Sequence, residues 1–206
     1  MKLDIRWLGR IKFEDALALQ DALVAERGAA SLPGVLLLLE HEPVYTIGRT
    51  PDQSSLRDAA LLPHPVVQIN RGGQATYHGP GQLVGYPILD LKLRGQDLHV
   101  YLRELEAVII ETLAEFGISA CQREGLTGVW VGARKIASIG VGVRRWISMH
   151  GFALNVCGDL TPFSQITPCG ITGVEMTNIE RETGQAMEVA AVADRVAEVF
   201  VRRFAP

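Results

Sequence analysis

Cysteine is scarce in this chain: three residues in 206, an odd number, widely spaced and without a C-x-x-C pair. That excludes a disulfide framework and gives no zinc-type spacing, and no other His/Cys/Asp pattern resembles a metal site. An excess of basic charge is also missing. Twenty Lys and Arg against 23 Asp and Glu leave a net charge of −3, without the positive footprint of a nucleic-acid binder. No apolar run approaches the ~20 residues that cross a bilayer; Val35 to Leu39 is a buried strand at most. The start, Met1-Lys-Leu-Asp-Ile-Arg6, alternates like a strand and has no apolar h-region. Internal repeats and low-complexity linkers are absent too. With 48% hydrophobic residues the chain can bury a substantial core. These features predict one domain over residues 1–206 with reduced thiols, in the cytoplasm, with no nucleic-acid or membrane partner.

Periodicity supplies the elements. Phe13, Ala16, Leu17, Gln20, Leu23 and Val24 recur at helical spacing, predicting a helix over Phe13 to Arg27 that Gly28 and the Ser31-Leu-Pro-Gly34 punctuation end. Val35 to Leu39 reads as a strand buried on both faces, followed by an irregular Glu40 to Arg49 loop with Tyr45 and Arg49 as polar handles. One helical turn is expected near Leu56 to Leu61. Asp97 is placed to cap a long helix whose stripe runs from Leu98 to Phe116, with Gly117 as its stop. Strands are expected at Ile118 to Cys121, at Val129 to Val131, at Arg134 to Val141 after a Gly132-Ala133 turn, and from Arg144 to Val156 with an interruption at Gly151. Met187 to Phe204 closes the chain as a helix. Strands outnumber helices without regular alternation, so the fold class is α+β with mixed or antiparallel sheets.

The densest stretch is Arg71-Gly-Gly-Gln-Ala-Thr-Tyr-His-Gly-Pro-Gly81, with four glycines and a proline in eleven residues. Glycine permits backbone conformations and close approaches that other residues resist. Flanked by strand-like Val66 to Ile69 and Leu83 to Leu91, it reads as a ligand-facing loop.

Reactive groups are few. Cys169 lies between Pro168 and Gly170 where apolar periodicity is weak, a setting open to a partly exposed nucleophile. Cys121 and Cys157 border strand-like runs and read as small buried hydrophobes. Lys135, by residue type, reads as a solvated lysine at a strand start. His78 is the obvious imidazole base. His150 suits a site wall, while His41, His64 and His99 have no pattern around them.

The stretch RGGQATYHGPGQLVGYPILDL resembles the signature of the lipoyl(octanoyl) transferases of lipoate biosynthesis. Gly132-Ala-Arg-Lys-Ile-Ala-Ser-Ile-Gly140, Thr167-Pro-Cys-Gly170, His150-Gly-Phe-Ala-Leu-Asn155 and Glu40-His-Glu-Pro-Val-Tyr-Thr-Ile-Gly-Arg49 match in the same order, across most of the chain. The resemblance implies the fold of the biotin and lipoate protein ligase catalytic domains. It implies transfer of an octanoyl group from octanoyl-acyl carrier protein, through a thioester on Cys169, to a lysine of a lipoyl domain. Acceptors would be the lipoyl domains of 2-oxoacid dehydrogenase complexes and the glycine cleavage H protein. Lys135 would pair with Cys169; an ammonium favours the thiolate, and lysine, unlike arginine such as Arg134, can release its proton. His78 then takes a substrate-contacting or supporting place. A thioester donor needs no ATP, metal or other cofactor.

The same resemblance assigns an acyl pocket to Arg71, Gly72, Gly73, Gln74, Ala75, Thr76, Tyr77 and His78, with Ser138, Ile139 and Gly140 and with Gly151, Phe152 and Ala153. Gly72, Gly73, Gly140 and Gly151 would leave room for a tail or arm, and N–H groups near Gly79, Gly140 or Gly170 could form an oxyanion hole. Arg123, Arg144 and Arg145 could greet acidic carriers, or equally be a solvated strand edge. Two other functions fit parts of the pattern: an ATP-dependent lipoate or biotin ligase, which needs no nucleophilic cysteine, and a silent acyl- or lipoyl-domain binding protein.

Overall fold

The computed structural model describes residues 3–29 and 32–205; Met1, Lys2, Ala30, Ser31 and Pro206 lie outside them. In chain order the elements are β1 (Leu3–Ile11), α1 (Phe13–Ala29), β2 (Gly34–His41), β3 (Val44–Ile47), β4 (Val66–Gln68), β5 (Thr76–His78) and β6 (Gln82–Ile88). There follow α2 (Leu98–Glu115), β7 (Cys121–Arg123), β8 (Leu126–Val131), β9 (Arg134–Arg144), β10 (Ile147–Asn155), α3 (Ile179–Thr183) and α4 (Val189–Phe204). A seven-stranded sheet runs β1-β2-β6-β10-β9-β8-β7, with only β1 and β2 parallel to one another. A second sheet, β4-β3-β5, has one parallel and one antiparallel pair. Both sheets are therefore mixed, one of the two arrangements expected for this α+β chain.

Strand β2 shows why the large sheet is covered on both faces. Successive side chains point to opposite sides. Leu36 and Leu38 join the core under α2 and α4, with Leu105, Val108, Val196 and Phe200. Val35, Leu37 and Leu39 face α1, with Ala16, Leu23 and Val24. Helix α2 begins as expected, with Asp97 Oδ1 accepting from the N–H groups of His99 and Val100 at 2.8 and 3.0 Å. It ends at a left-handed Gly117, φ 74°.

Some expectations fail for local reasons. Glu40 to Arg49 is not all loop: Val44-Tyr-Thr-Ile47 forms β3 between Pro43 and Gly48, and Tyr45 is buried, its hydroxyl donating to Pro162 O at 3.1 Å. β-Branched and aromatic residues suit a central strand, and here that preference prevails over the flanking breakers. The glycine-rich stretch likewise contains a strand, β5. The strand placed at Ile118 to Cys121 starts only at Cys121, which is exposed at the sheet edge and not a buried hydrophobe. Strand β10 runs through Gly151 without a break. A Cβ there would lie 2.3 Å from Gly85 O, so glycine is needed for close approach of β6, not for a bend. The break comes earlier: Arg145 and Trp146, φ 52° and 68°, make a two-residue hairpin turn without glycine. Helix α3 is too short to show as a periodic pattern.

Candidate functional site

A cavity of about 550 Å³ opens between the glycine-rich loop, β9, β10 and the start of α2. That lies within the roughly 300–1,000 Å³ typical of small-molecule sites. Arg71, Gly72, Gly73 and Gln74 form one wall, and Thr76 and His78 reach in from β5. Ser138, Ile139 and Gly140 face Gly151, Phe152 and Ala153 across two paired strands, and Cys169 joins them from a distant turn. Ala75 and Tyr77 do not line it. In a strand alternate side chains diverge, so Thr76 and His78 point inward while Tyr77 packs against Tyr45 and Phe163. Ala75 contributes its backbone instead, its carbonyl accepting from Cys169 N–H at 2.8 Å.

Cys169 is held in the left-handed region, φ 55° and ψ 19°, a conformation costly for a residue with a Cβ. Its turn is tied down on both sides: Gly170 N–H donates to Thr167 O at 2.9 Å, and Thr167 N–H to Ser55 O at 2.7 Å. Gly170 N–H is thereby occupied and is not free to receive an oxyanion. Ser55 also fixes the loop, its hydroxyl donating to Gln74 Oε1 at 2.8 Å and accepting from Ala75 N–H at 3.1 Å.

Lys135 is fully buried, contrary to its reading as a solvated lysine. Its Nζ donates to Cys169 Sγ at 3.1 Å, and Ser138 Oγ lies 3.6 Å from the same sulfur. A register slip between β8 and β9 aims it there: Val129 faces Ala137 while Trp130 faces Lys135, so Ile136 is an extra residue. The lysine's own backbone pairs with the segment that follows the cysteine turn, Lys135 N–H donating to Glu175 O at 2.8 Å and Thr177 N–H to Lys135 O at 2.9 Å. Arg134, one residue earlier, points away and forks onto Glu182 at 2.9 and 2.8 Å.

Electrostatics favour a thiolate at Cys169. Burial alone pushes the thiol up, but the Lys135 charge, the hydrogen bonds from Lys135 and Ser138, and the Arg71 charge outweigh it, and the net shift is downward. Cys157, half-buried and beside Glu180 and Glu40, is pushed up by its burial and those charges. Among the described residues, buried Arg71 has no carboxylate partner. Its Nη2 donates to Thr46 O, Thr46 Oγ1 and Gln74 O at 3.2, 3.0 and 3.0 Å, and its Nη1 to Gly72 O at 2.9 Å.

His78 is engaged elsewhere than Cys169. Gln82 Nε2 donates to Tyr77 O and Asn155 Oδ1, so Gln82 Oε1 accepts, and His78 Nδ1–H donates to it at 2.8 Å. The other ring nitrogen, Nε2, faces Thr46 Oγ1 at 3.4 Å. Burial, with help from His41, lowers its pKa to about 3, and the ring is neutral at physiological pH. His150 lies in the cavity wall and is also neutral, pKa about 4, through burial and then the Arg71 charge.

Residues not assigned to the pocket from sequence complete the enclosure: Phe13, Tyr86, Leu98, Leu102, Leu126 and Val141. The periodicity that marks Phe13, Leu98 and Leu102 as an apolar helix face does not distinguish a cavity wall from a core position. Of the proposed docking arginines, Arg123 lies 4.4 Å over the Trp130 ring and Arg144 pairs with Asp21 at 3.2 Å, so both are engaged within the chain. Among the described residues no group of three His, Cys, Asp or Glu side chains is placed to hold a metal. Nor, among them, is any helix long and apolar enough to cross a membrane.

Comparison with known proteins accords with this geometry. Residues 12–201 match the lipoyl protein ligase A/B catalytic domain. The octanoyltransferase of Geobacter sulfurreducens is 54% identical over 94% of this chain and 81% of its own length. The bi-partite lipoate protein ligase of Thermoplasma acidophilum superposes with a TM-score of 0.75 at 17% identity, covering 100% of this chain and 84% of that one. The biotin protein ligase of Aquifex aeolicus gives 0.58 at 13%, covering 100% and 70%. These two structures share the fold. The match over nearly the whole chain, with more than half of the residues identical to an octanoyltransferase, shows that this chain belongs to the lipoyl protein ligase A/B catalytic domain family.

Proposed function

We propose that this chain is an acyltransferase of lipoate biosynthesis that moves an octanoyl group from octanoyl-acyl carrier protein to a lipoyl-domain lysine through a thioester on Cys169. The octanoyltransferase relatives support the reaction class, and the 3.1 Å approach of Lys135 Nζ to Cys169 Sγ at the wall of a largely apolar cavity supports the covalent route most directly. In the first step the Cys169 thiolate attacks the donor thioester carbonyl. A new carbon–sulfur bond forms, the bond to the carrier sulfur breaks, and the Lys135 ammonium gives that sulfur its proton. In the second step the amine of the acceptor lysine attacks the octanoyl-Cys169 carbonyl, the now neutral Lys135 takes the amine's proton, and the Cys169 thiolate leaves. The product is an octanoyl amide. The donor's thioester supplies the activation, so no ATP is consumed.

The tail lies along Ile139, Phe152 and Ala153, with the reacting carbonyl at Cys169 and Arg71 beside it. Lipoyl domains of 2-oxoacid dehydrogenase complexes and the glycine cleavage H protein are the acceptors, and the reaction runs in the cytoplasm. The test is intact-protein mass after brief exposure to octanoyl-acyl carrier protein without ATP. One octanoyl group on Cys169, lost on adding a lipoyl domain and absent from Cys169→Ser, is the expected result. Activity that appears only with octanoate and ATP, without an adduct, would reassign the chain to ATP-dependent ligation.

A further inference from the structure

Lys135 carries the function above, yet a fully buried lysine has to be steered to its target. Gly128 sits against its stem. A Cβ on Gly128 would lie 2.6 Å from Lys135 Cε and 3.1 Å from Nζ. It would also lie 2.7 Å from Ala137 O, the carbonyl at the register slip that aims the lysine. The glycine has φ 130°, a conformation other residues rarely adopt. It is pinned from the opposite side: Glu106 of α2, wholly buried, accepts the Gly128 N–H on Oε1 at 2.8 Å while its Oε2 accepts from Arg103 at 2.6 Å. Trp130 offers the lysine a ring 5.5 Å from Nζ.

We propose that Gly128, pinned by Glu106, is the positioning residue of Lys135: the ammonium reaches Cys169 Sγ because residue 128 lacks a side chain. The inference rests on the reading of Lys135 and Cys169 given above. It adds a determinant on β8 that touches neither substrate nor sulfur. A methyl group at 128 meets the last two atoms of the lysine and moves Nζ off the thiol. The cation that offsets the burial of Cys169 is then displaced, leaving only Ser138 and Arg71 facing the sulfur.

The readout is the pH dependence of Cys169 alkylation by iodoacetamide, followed by peptide mass so that Cys121 and Cys157 are counted separately. It is run on the full chain, on Gly128→Ala, on Lys135→Ala and on the double variant. Lys135→Ala moves the Cys169 profile to higher pH, and Gly128→Ala moves it the same way. On the acid side of the profile, a displacement of one unit lowers reactivity at a given pH by about tenfold. In the Lys135→Ala background Gly128→Ala adds no more than about a twofold change. Glu106→Gln, which keeps an acceptor for the Gly128 N–H, stays near the wild-type profile.

If Lys135→Ala leaves the profile unmoved, the reading of the site fails. If Lys135→Ala moves it and Gly128→Ala does not, only this inference fails. An equal loss from Gly128→Ala with and without the lysine overturns the inference, because the effect is then structural. A shift in Glu106→Gln as large as in Gly128→Ala overturns it as well, since the carboxylate charge and not the pinning is then responsible. Should Gly128→Ala not fold, recovery of folding on adding Lys135→Ala supports the proposal; continued failure assigns the constraint to Ala137 O and overturns it.

Discussion

Lys135 Nζ lies 3.1 Å from Cys169 Sγ although 34 residues separate them in sequence. Two backbone hydrogen bonds to residues 175 and 177 tie the lysine's strand to the segment that leaves the cysteine turn. The pair is thus set by a short closed circuit of chain and does not depend on two free side chains meeting.

Replacing this lysine separates charge from proton transfer. Lys135→Arg keeps a cation beside the thiol, but guanidinium does not deprotonate in proteins. Formation of the acyl-enzyme is therefore expected to persist in part, because a carrier thiolate can leave without a proton, while transfer to the acceptor amine, which must lose one, falls by roughly 10²- to 10⁴-fold. Lys135→Ala loses both. Single-turnover measurement of acylation and of transfer separates the two steps; equal losses in both for Lys135→Arg would argue against the lysine as proton acceptor.

Phe152 lies over Gly85, its cross-strand partner, so closely that a Cβ on the glycine would stand 2.1 Å from the ring's Cζ. Phe152 belongs both to the core under α2 and to the cavity wall. Gly85→Ala is expected to cost about 1–3 kcal/mol by overpacking, and Phe152→Leu in the same chain should recover part of that loss. Urea unfolding of the four proteins gives the coupling; strictly additive losses would mean the ring does not enforce the glycine.

Asp97 holds the first turn of α2, and Leu98 and Leu102, just beyond, are cavity walls. Loss of the cap in Asp97→Ala should lower stability by about 1 kcal/mol. Fraying of that turn should also loosen the apolar wall, raising KM for the acyl donor more than it lowers kcat. An unchanged KM alongside the stability loss would show that the wall does not depend on the cap.

What the sequence makes legible is the part written in local physics. The Asp97 cap, the Gly117 stop, the α4 stripe and the Gly132-Ala133 turn each depend on residues within a few positions, and the structure has them where expected. The glycine-rich loop, the segment at Ser138 and the segment at Gly151 meet at one cavity. Side-chain direction was less accessible. Grouping residues 71 to 78 as one loop included Ala75 and Tyr77, which the alternation of β5 turns away. The burial of Lys135 depends on a one-residue slip against β8, and the need for glycine at 128 and 151 depends on neighbours far away in sequence. Such facts are set by sheet register, which the chain specifies only once it is assembled.

Three buried imidazoles give the fold a signature in acid. Burial lowers the pKa of His41 to about 4, of His78 to about 3 and of His150 to about 4, and each is neutral in the folded chain. Unfolded, each titrates near 6.5. Above that pH neither state binds the proton and the groups do not affect stability. Below it the unfolded chain takes up protons that the folded chain refuses, so stability falls as pH drops from 6.5 toward the folded values. By pH 5 the loss is roughly 1–2 kcal/mol for each imidazole, before most carboxylates begin to titrate. Urea midpoints at constant ionic strength should therefore decline steadily between pH 6.5 and 5. A flat profile over that window would mean that at least some of these rings are charged or solvated in the folded protein. The neutral state assigned to at least one of the three imidazoles would then have to be abandoned.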